Sequence, residues 1–219
     1  MSGDNLAILV PVLRRPHRVK PLMDSIKRAT PDARVVFITD PGDYEEHCAI
    51  AVERTPKTTV LTTGGNYAHK INRGFEHCSE RLLFLGADDL EFHPGWLEAC
   101  VEKLEEGADV VGTQDLCNPA VIRGEHATHF LVMRDYVELL GTIDEAGKIL
   151  HEGYEHEYVD NELIETAKAR GVYAFANDAV VEHLHPLVGK APTDELYDRM
   201  PARMKTGKAV YDKRRHLWQ

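Results

Sequence analysis

Residues 81–98, RLLFLGADDLEFHPGWLE, run apolar to residue 87, stop on adjacent carboxylates at Asp88 and Asp89, and resume at Pro94, a residue suited to a helix start. A short, continuously apolar run of this kind reads as a strand buried on both faces, as the strands of a parallel sheet are. The same unit recurs upstream. LAILVPV (6–12), ARVVFIT (33–39) and TTVLTT (58–63) read as three more strands. Between them, residues 17–29 carry Val19, Leu22, Met23 and Ile26 at helical spacings and end at Thr30-Pro31. Residues 43–52 form a short helix after the Asp40-Pro41-Gly42 turn. Gly64-Gly65-Asn66 opens a helix running to about Cys78, Pro94 starts one ending near Gly107, and ADVVGT (108–113) is a fifth strand. This alternation predicts an α/β fold, a mostly parallel central sheet with helices on both faces. The second half is less regular. THFLVMR (128–134) reads as a strand, 160–170 as a helix stopped by Gly171, and VYAFA (172–176) and AVVEHLH (179–185) as two further strands. One domain over residues 1–190, followed by a basic tail or lid over 191–219, is expected.

Composition narrows the class. The 219 residues are 43% hydrophobic and 28% charged, which excludes disorder for the bulk of the chain. No stretch approaches the roughly 18 to 20 apolar residues of a membrane span. No basic leader precedes the first apolar run, so a soluble, cytoplasmic protein is expected. Cys48, Cys78, Cys100 and Cys117 lack the short spacings of a zinc ribbon or disulfide framework and read as reduced, structural thiols. The net charge of −10 argues against a surface made for nucleic acid, yet the tail is basic. Arg199, Arg203, Lys205, Lys208, Lys213, Arg214 and Arg215 face a single acid, Asp212, so the tail reads as a solvated helix end or as an anion-binding lid.

Ligands of open α/β sheets bind beyond the carboxyl ends of the strands. Pro11, Arg14 and Arg15 close the first strand, Asp40 the second, Gly64-Gly65-Asn66 the third, and Asp88-Asp89 the fourth. Arginines, a glycine-rich helix start and an acidic pair at one edge suit a nucleotide diphosphate with a divalent metal. The carboxylates hold the metal, and the metal neutralises the phosphates. An acidic pair after a strand is by itself only a helix-entry loop; the convergence carries the reading.

The arrangement resembles the GT-A glycosyltransferases, especially family 2-like enzymes. The matching segments are AILVPVLRRPHRVKPLMDSI (7–26), GGNYAHKINRGF (64–75) and RLLFLGADDLEFHPGWLE (81–98). The resemblance implies a nucleotide-diphosphate sugar donor, Mn²⁺ or Mg²⁺, and transfer to an acceptor hydroxyl, inverting the anomeric centre in a single displacement. It places Asp88 as the metal-ligating carboxylate and Lys70 and Asn72 on the inner side of the glycine–asparagine helix. One departure stands out. The family's Asp-x-Asp has Gly86 at its first position here, so Asp40 or Asp89 takes part of the lost role.

EYVDNELIETAKARG (157–171) resembles the acceptor-side element and implies Asp160 as general base, with Glu157 and Glu162 as alternates. The plain alternative is an acidic helix start complementing the helix dipole. AVVEHLHP (179–186) resembles the late strand that delivers a histidine to the metal. Alternation puts Val181, His183 and His185 on one face, with His183 preferred as the ligand. Lys190 and the tail residues Arg203, Lys205 and Lys208 are implied to close over the diphosphate. His126 and His129 precede an apolar strand with no carboxylate at metal spacing and read as structural. HEGYEHE (151–157) is not HExxH, so a zincin is excluded. It reads as an acceptor-site loop in which Tyr154 and His156 touch a sugar or base.

Three other classes are weaker. A nucleotidyltransferase on a related fold favours a glycine-rich loop where this chain has PVLRRP (11–16). No GxGxxG follows the first strand, against a dinucleotide-dependent oxidoreductase. A catalytically inactive carbohydrate- or nucleotide-binding module is favoured by Gly86 alone. The acceptor is open among a small molecule, a glycan and modified DNA. The last follows from a similarity to compact phage-encoded glycosyltransferases, some of which act on hydroxymethylated bases.

Overall fold

The continuous apolar runs form strands buried on both faces, whereas the threonine-rich edge strand is half exposed. β1 (Leu6–Pro11), β2 (Arg34–Thr39), β3 (Thr58–Thr62) and β4 (Leu82–Leu85) pair in parallel in the order β3-β2-β1-β4, and β4 is buried throughout. The computed structural model describes residues 3–219. α1 (Pro16–Ala29) and α2 (Tyr44–Glu53) carry the chain outward from β1 to β3, and α3 (Tyr67–Glu76) carries it back past β2 and β1 to β4. Right-handed crossovers running in opposite directions put α3 on the face opposite α1 and α2. The direction reverses between β1 and β4, which is where such sheets open a crevice.

The remaining strands are β5 (Leu90–Phe92), β6 (Val110–Gln114), β7 (Phe130–Met133) and β8 (Tyr173–His183), and they extend the sheet in the order β4-β7-β6-β8-β5. The fifth expected strand, β6, therefore does not sit beside β4. β7 lies between them, antiparallel to both. The two strands expected at 172–176 and 179–185 are one strand, β8. Its register slips opposite Thr113 and Gln114, so Asn177-Asp178 is absorbed as an irregularity rather than a turn. Past the slip, β8 pairs antiparallel with the edge strand β5. It ends at His183, so His185 lies outside the strand and caps a short 3-10 turn.

α4 (Trp96–Glu105) starts two residues after Pro94, where Gly95 turns the chain at φ 88°. Trp96 is fully buried and packs edge-on against Phe84 and Phe92 at 4.9 and 5.1 Å between ring centroids; its indole N–H donates to Thr30 Oγ1 at 3.1 Å. The Gly-Trp pair thus anchors the segment that carries Asp88 and Asp89. The helices of the second half are α5 (Pro119–Ile122), α6 (Arg134–Leu139), α7 (Val159–Ala169), α8 (Glu195–Asp198) and α9 (Met200–Arg214). The basic tail is thus mostly helical, and it packs back on the domain. No helix among the described residues is long and apolar enough to cross a membrane.

Candidate active site

A cavity of about 360 Å³ opens at the carboxyl ends of β1 and β4. Among the residues lining it are Pro11, Arg15, Gly65, Asn66, Lys70, Asp88, Asp89, Asp160, His183 and His185. Arg15 is its electrostatic hub. The turn before it is shaped by α2: Arg14 N donates to Asp43 Oδ2 and Arg15 N to Glu46 Oε2, both at 2.8 Å, which holds Arg14 at a φ of 54°. The buried Arg15 guanidinium then reaches Asp88 Oδ1 at 3.1 Å and Asp89 Oδ2 at 3.4 Å. On its other side it makes a two-point contact with Asp194, Nε at 2.8 Å and Nη2 at 3.0 Å. The Tyr197 ring covers the guanidinium at 4.3 Å, and its hydroxyl donates to Asp89 Oδ2 at 2.5 Å.

Charge is unevenly distributed over the acidic pair. Burial and the neighbouring Asp89 push the Asp88 carboxyl up, with Arg15 offsetting part of the rise. Burial acts on Asp89 in the same sense, but His183, the Tyr197 hydroxyl and Arg15 together hold it below the usual carboxylate range. His183 Nε2 lies 3.4 Å from Asp89 Oδ2, and that carboxylate raises the imidazole against the effect of burial. His129 is different. Burial and the nearby His183 push it down to about 4, so it is neutral. Its Nδ1 donates to Leu85 O at 3.2 Å, which leaves Nε2 as a buried lone pair with no partner among the described residues. Asp88, Asp89, His129 and His183 line the same cavity, and carboxylate oxygens with an imidazole are donor types that Mn²⁺ accepts; Arg15 holds both carboxylates here, and their ligand atoms are not gathered within 4.8 Å of one another.

Other sequence candidates fall outside the cavity lining. Arg14 is exposed. Asp40 is the ion-pair partner of Lys70, whose ammonium also donates to Val12 O at 3.1 Å. Asn72 is buried and clamps the 149–152 loop: it donates to Leu150 O at 2.9 Å and accepts from Ile149 N and Leu150 N at 3.0 and 3.1 Å. Lys190 bonds Leu116 O and Glu182 Oε1, at 2.9 and 2.7 Å. Glu182, His93 and Glu91 bring their ligand atoms within 4.8 Å of one another, but Lys190 and Arg28 already neutralise both carboxylates.

Around the start of α7 the three acids separate. Glu157 lines the cavity but pairs with Arg203 at 3.2 Å. Glu162 is buried away from it, accepting from Tyr154 OH at 2.7 Å and from Arg214 Nη2 at 2.8 Å. Tyr154 therefore does not reach the cavity as expected; it is a fully buried prop under α7. His156 does line the cavity, edge-on to Tyr67, and burial pushes it down to about 4. Asp160 faces the cavity and is held by His126 Nε2 at 3.1 Å. The glycine-rich helix start is stiff. Gly65 adopts a φ of 122°, and Asn66 caps α3 through His69 N at 2.8 Å while donating to Glu152 O. Sequence reading missed Asp194, Tyr197, Glu46, His126 and His129. Only Asp194 carried a local signal, as the residue capping α8.

The family model for glycosyl transferase family 2 matches residues 7–177. A Mycobacterium tuberculosis (strain CDC 1551 / Oshkosh) protein described as a glycosyltransferase is 33% identical over 89 residues, 38% of this chain, and the match spans 26% of that relative's length. Among solved structures, glucosyl-3-phosphoglycerate synthase from Mycobacterium tuberculosis, in complex with Mn²⁺, UDP and glucosyl-3-phosphoglycerate, gives a TM-score of 0.67 at 13% identity. That alignment covers 95% of this chain and 79% of that one. The mannosyltransferase PcManGT from Pyrobaculum calidifontis, in complex with GDP-Man and Mn²⁺, gives 0.68 at 13% identity over 97% and 75% of the two chains. At such identities the likeness speaks to the fold, which is that of GT-A glycosyltransferases.

Proposed function

Because the chain belongs to glycosyltransferase family 2, we propose that the cavity binds a nucleotide-diphosphate sugar through Mn²⁺ or Mg²⁺ and passes the sugar to a hydroxyl activated by Asp160. One observation carries the reading: the Asp88–Asp89–His183 group and Asp160 line the same cavity at the β1–β4 crevice. Asp88, Asp89 and His183 would hold the metal, and His129 lines the same cavity. When bound, the ion offsets the charge of the leaving diphosphate. Arg15 and Lys70 stand on the donor side as cations already paired with Asp88, Asp89 and Asp194 and with Asp40, and the start of α3 presents backbone N–H groups to an anion. Asp160 takes the acceptor proton as the acceptor oxygen bonds to the anomeric carbon. The bond from that carbon to the diphosphate breaks, its electron pair leaves with the nucleotide, and a single displacement inverts the centre.

Two neighbours in this fold were solved with Mn²⁺ and a nucleotide or nucleotide sugar, which supports the donor and metal assignment. For the acceptor, a small molecule or glycan end is favoured over a DNA base. Arg203, Lys208 and Arg214 of the tail are already paired with Glu157, Asp212 and Glu162, which weakens a phosphate-tracking arm. A cytoplasmic location and a lid role for residues 191–219 belong to the same proposal.

A thermal-shift series against UDP-, GDP-, ADP- and CDP-linked sugars, with and without Mn²⁺, tests the donor site. Stabilisation that requires both nucleotide and metal and disappears in Asp88→Asn is expected. No shift with any of them overturns the donor reading in favour of a module without nucleotide-sugar chemistry. Binding of hydroxymethylated duplex DNA at low salt overturns the acceptor preference.

A further inference from the structure

Asp160 is the second residue of α7, and both of its carboxylate oxygens are engaged. Oδ1 accepts from Asn161 N at 2.9 Å, and Oδ2 lies 3.1 Å from His126 Nε2. An ionised carboxylate only accepts, so the imidazole donates and carries its proton on Nε2. His126 comes from a loop 34 residues earlier in the chain and does not line the cavity, whereas Asp160 does. It addresses the carboxylate from behind.

The loop is pinned on both sides of this histidine. Ala127 is fully buried against β6, so closely that a Cβ on Gly112 would stand 2.5 Å from its methyl group. Thr128 Oγ1 donates to Asp115 Oδ2 at 3.1 Å, and Asp115 Oδ1 takes Cys117 N and Asn118 N at 2.8 and 3.0 Å. The next residue, His129, is fixed to Leu85 O. A histidine held this firmly, with its Nε2 on a cavity-facing carboxylate, controls where that carboxylate points.

We propose that His126 is a positioning residue for the transfer reaction, holding Asp160 in the rotamer whose remaining lone pairs face the acceptor hydroxyl. The inference rests on Asp160 being the base. During transfer the acceptor proton moves to Asp160, the new carbon–oxygen bond forms at the anomeric carbon, and the diphosphate leaves with the electron pair of the broken bond. His126 keeps its own Nε2 proton throughout. Its loss therefore slows the chemical step without weakening the donor site, which lies on other residues.

The test measures nucleoside diphosphate release from UDP-, GDP-, ADP- and CDP-linked hexoses with Mn²⁺ and water as acceptor. The wild-type protein is compared with Asp160→Asn, His126→Phe, which keeps a ring but no donor, and His126→Gln, which restores an N–H at similar reach. His126→Phe is expected to lower kcat about 10- to 100-fold with the donor KM within about twofold, and His126→Gln to recover most of the loss. In ¹⁵N-histidine NMR spectra, His126 is expected as the Nε2–H tautomer, with its signal shifted by Asp160→Asn. Wild-type kcat in His126→Phe, equal losses in the Phe and Gln variants, or an Nδ1–H tautomer overturns the inference. Release that survives Asp160→Asn, or is absent from the wild type with every donor, overturns the base assignment and this inference with it. Release lost in Asp160→Asn but intact in His126→Phe removes only the role of His126.

Discussion

Gly86 stands where the family's first acid would be, and its surroundings give a steric reason. Its N–H donates to Leu9 O at 2.9 Å, and a Cβ built on it would lie 3.0 Å from that same carbonyl oxygen. The carbonyl belongs to the β1 backbone and cannot swing aside as a side chain could. Gly86→Ala should therefore cost about 1–3 kcal/mol in urea unfolding, and Gly86→Asp no less, without restoring a donor-site function. Wild-type stability in Gly86→Asp would mean that the backbone yields there. The charge that the missing acid would supply is carried instead by Asp88, Asp89 and Asp194 around Arg15. Two of those three were legible because they close a buried strand. Asp194 was not: it meets Arg15 across 179 residues, and no periodicity encodes a contact of that span. The same holds for His126, which read as structural because its carboxylate partner lies in another element.

At the scale of elements, α2 does more than join β2 to β3. Its first turn holds the turn that aims Arg15, through Asp43 and Glu46, and Glu46 is fully buried with Oε1 lacking a partner among the described residues. Burial, with Asp43 adding to it, pushes the Glu46 carboxyl up from 4.5 to about 7, against the pull of the Arg15 N–H and Lys70. Between those two values the folded protein holds a proton that the unfolded chain releases. Stability from this group accordingly falls as pH rises from about 4.5 through about 7, by on the order of 3 kcal/mol, and stays low above. Glu46→Gln keeps an acceptor for Arg15 N and has no charge to bury. Urea unfolding between pH 5 and 8 should show this component of the slope removed and the variant more stable than wild type at pH 8; parallel pH profiles for the two proteins would refute it. The central strands and α1 to α4 were readable because each is specified by its own apolar pattern. The insertion of β7, the continuity of β8 through Asn177-Asp178 and the three-residue β5 were not. They depend on which strands pair, and Asn-Asp within a strand looks locally like a turn.

At the scale of the whole molecule, the basic tail is a strap fastened along its length rather than a free arm. Asp194 and Tyr197 fasten it to Arg15 and Asp89, Arg203 fastens it to Glu157, and Arg214 fastens its far end to Glu162 and Asp144. Gly207 lets α9 approach the backbone just before α7: a Cβ there would fall 2.3 Å from Glu157 O. These bonds differ in worth. The Arg214–Glu162 pair, at 2.8 Å, has side chains only 13% and 5% exposed, so breaking it from one side strands a buried charge. Arg214→Met should cost about 3–5 kcal/mol in urea unfolding because Glu162 keeps only the Tyr154 hydroxyl. Removing both charges, in Arg214→Met with Glu162→Gln, should recover much of that loss, since the penalty lies in the unpaired carboxylate rather than in the absence of a bond. If the double variant is as unstable as the two single losses added together, Glu162 is not uncompensated in Arg214→Met, and the strap is held by packing instead.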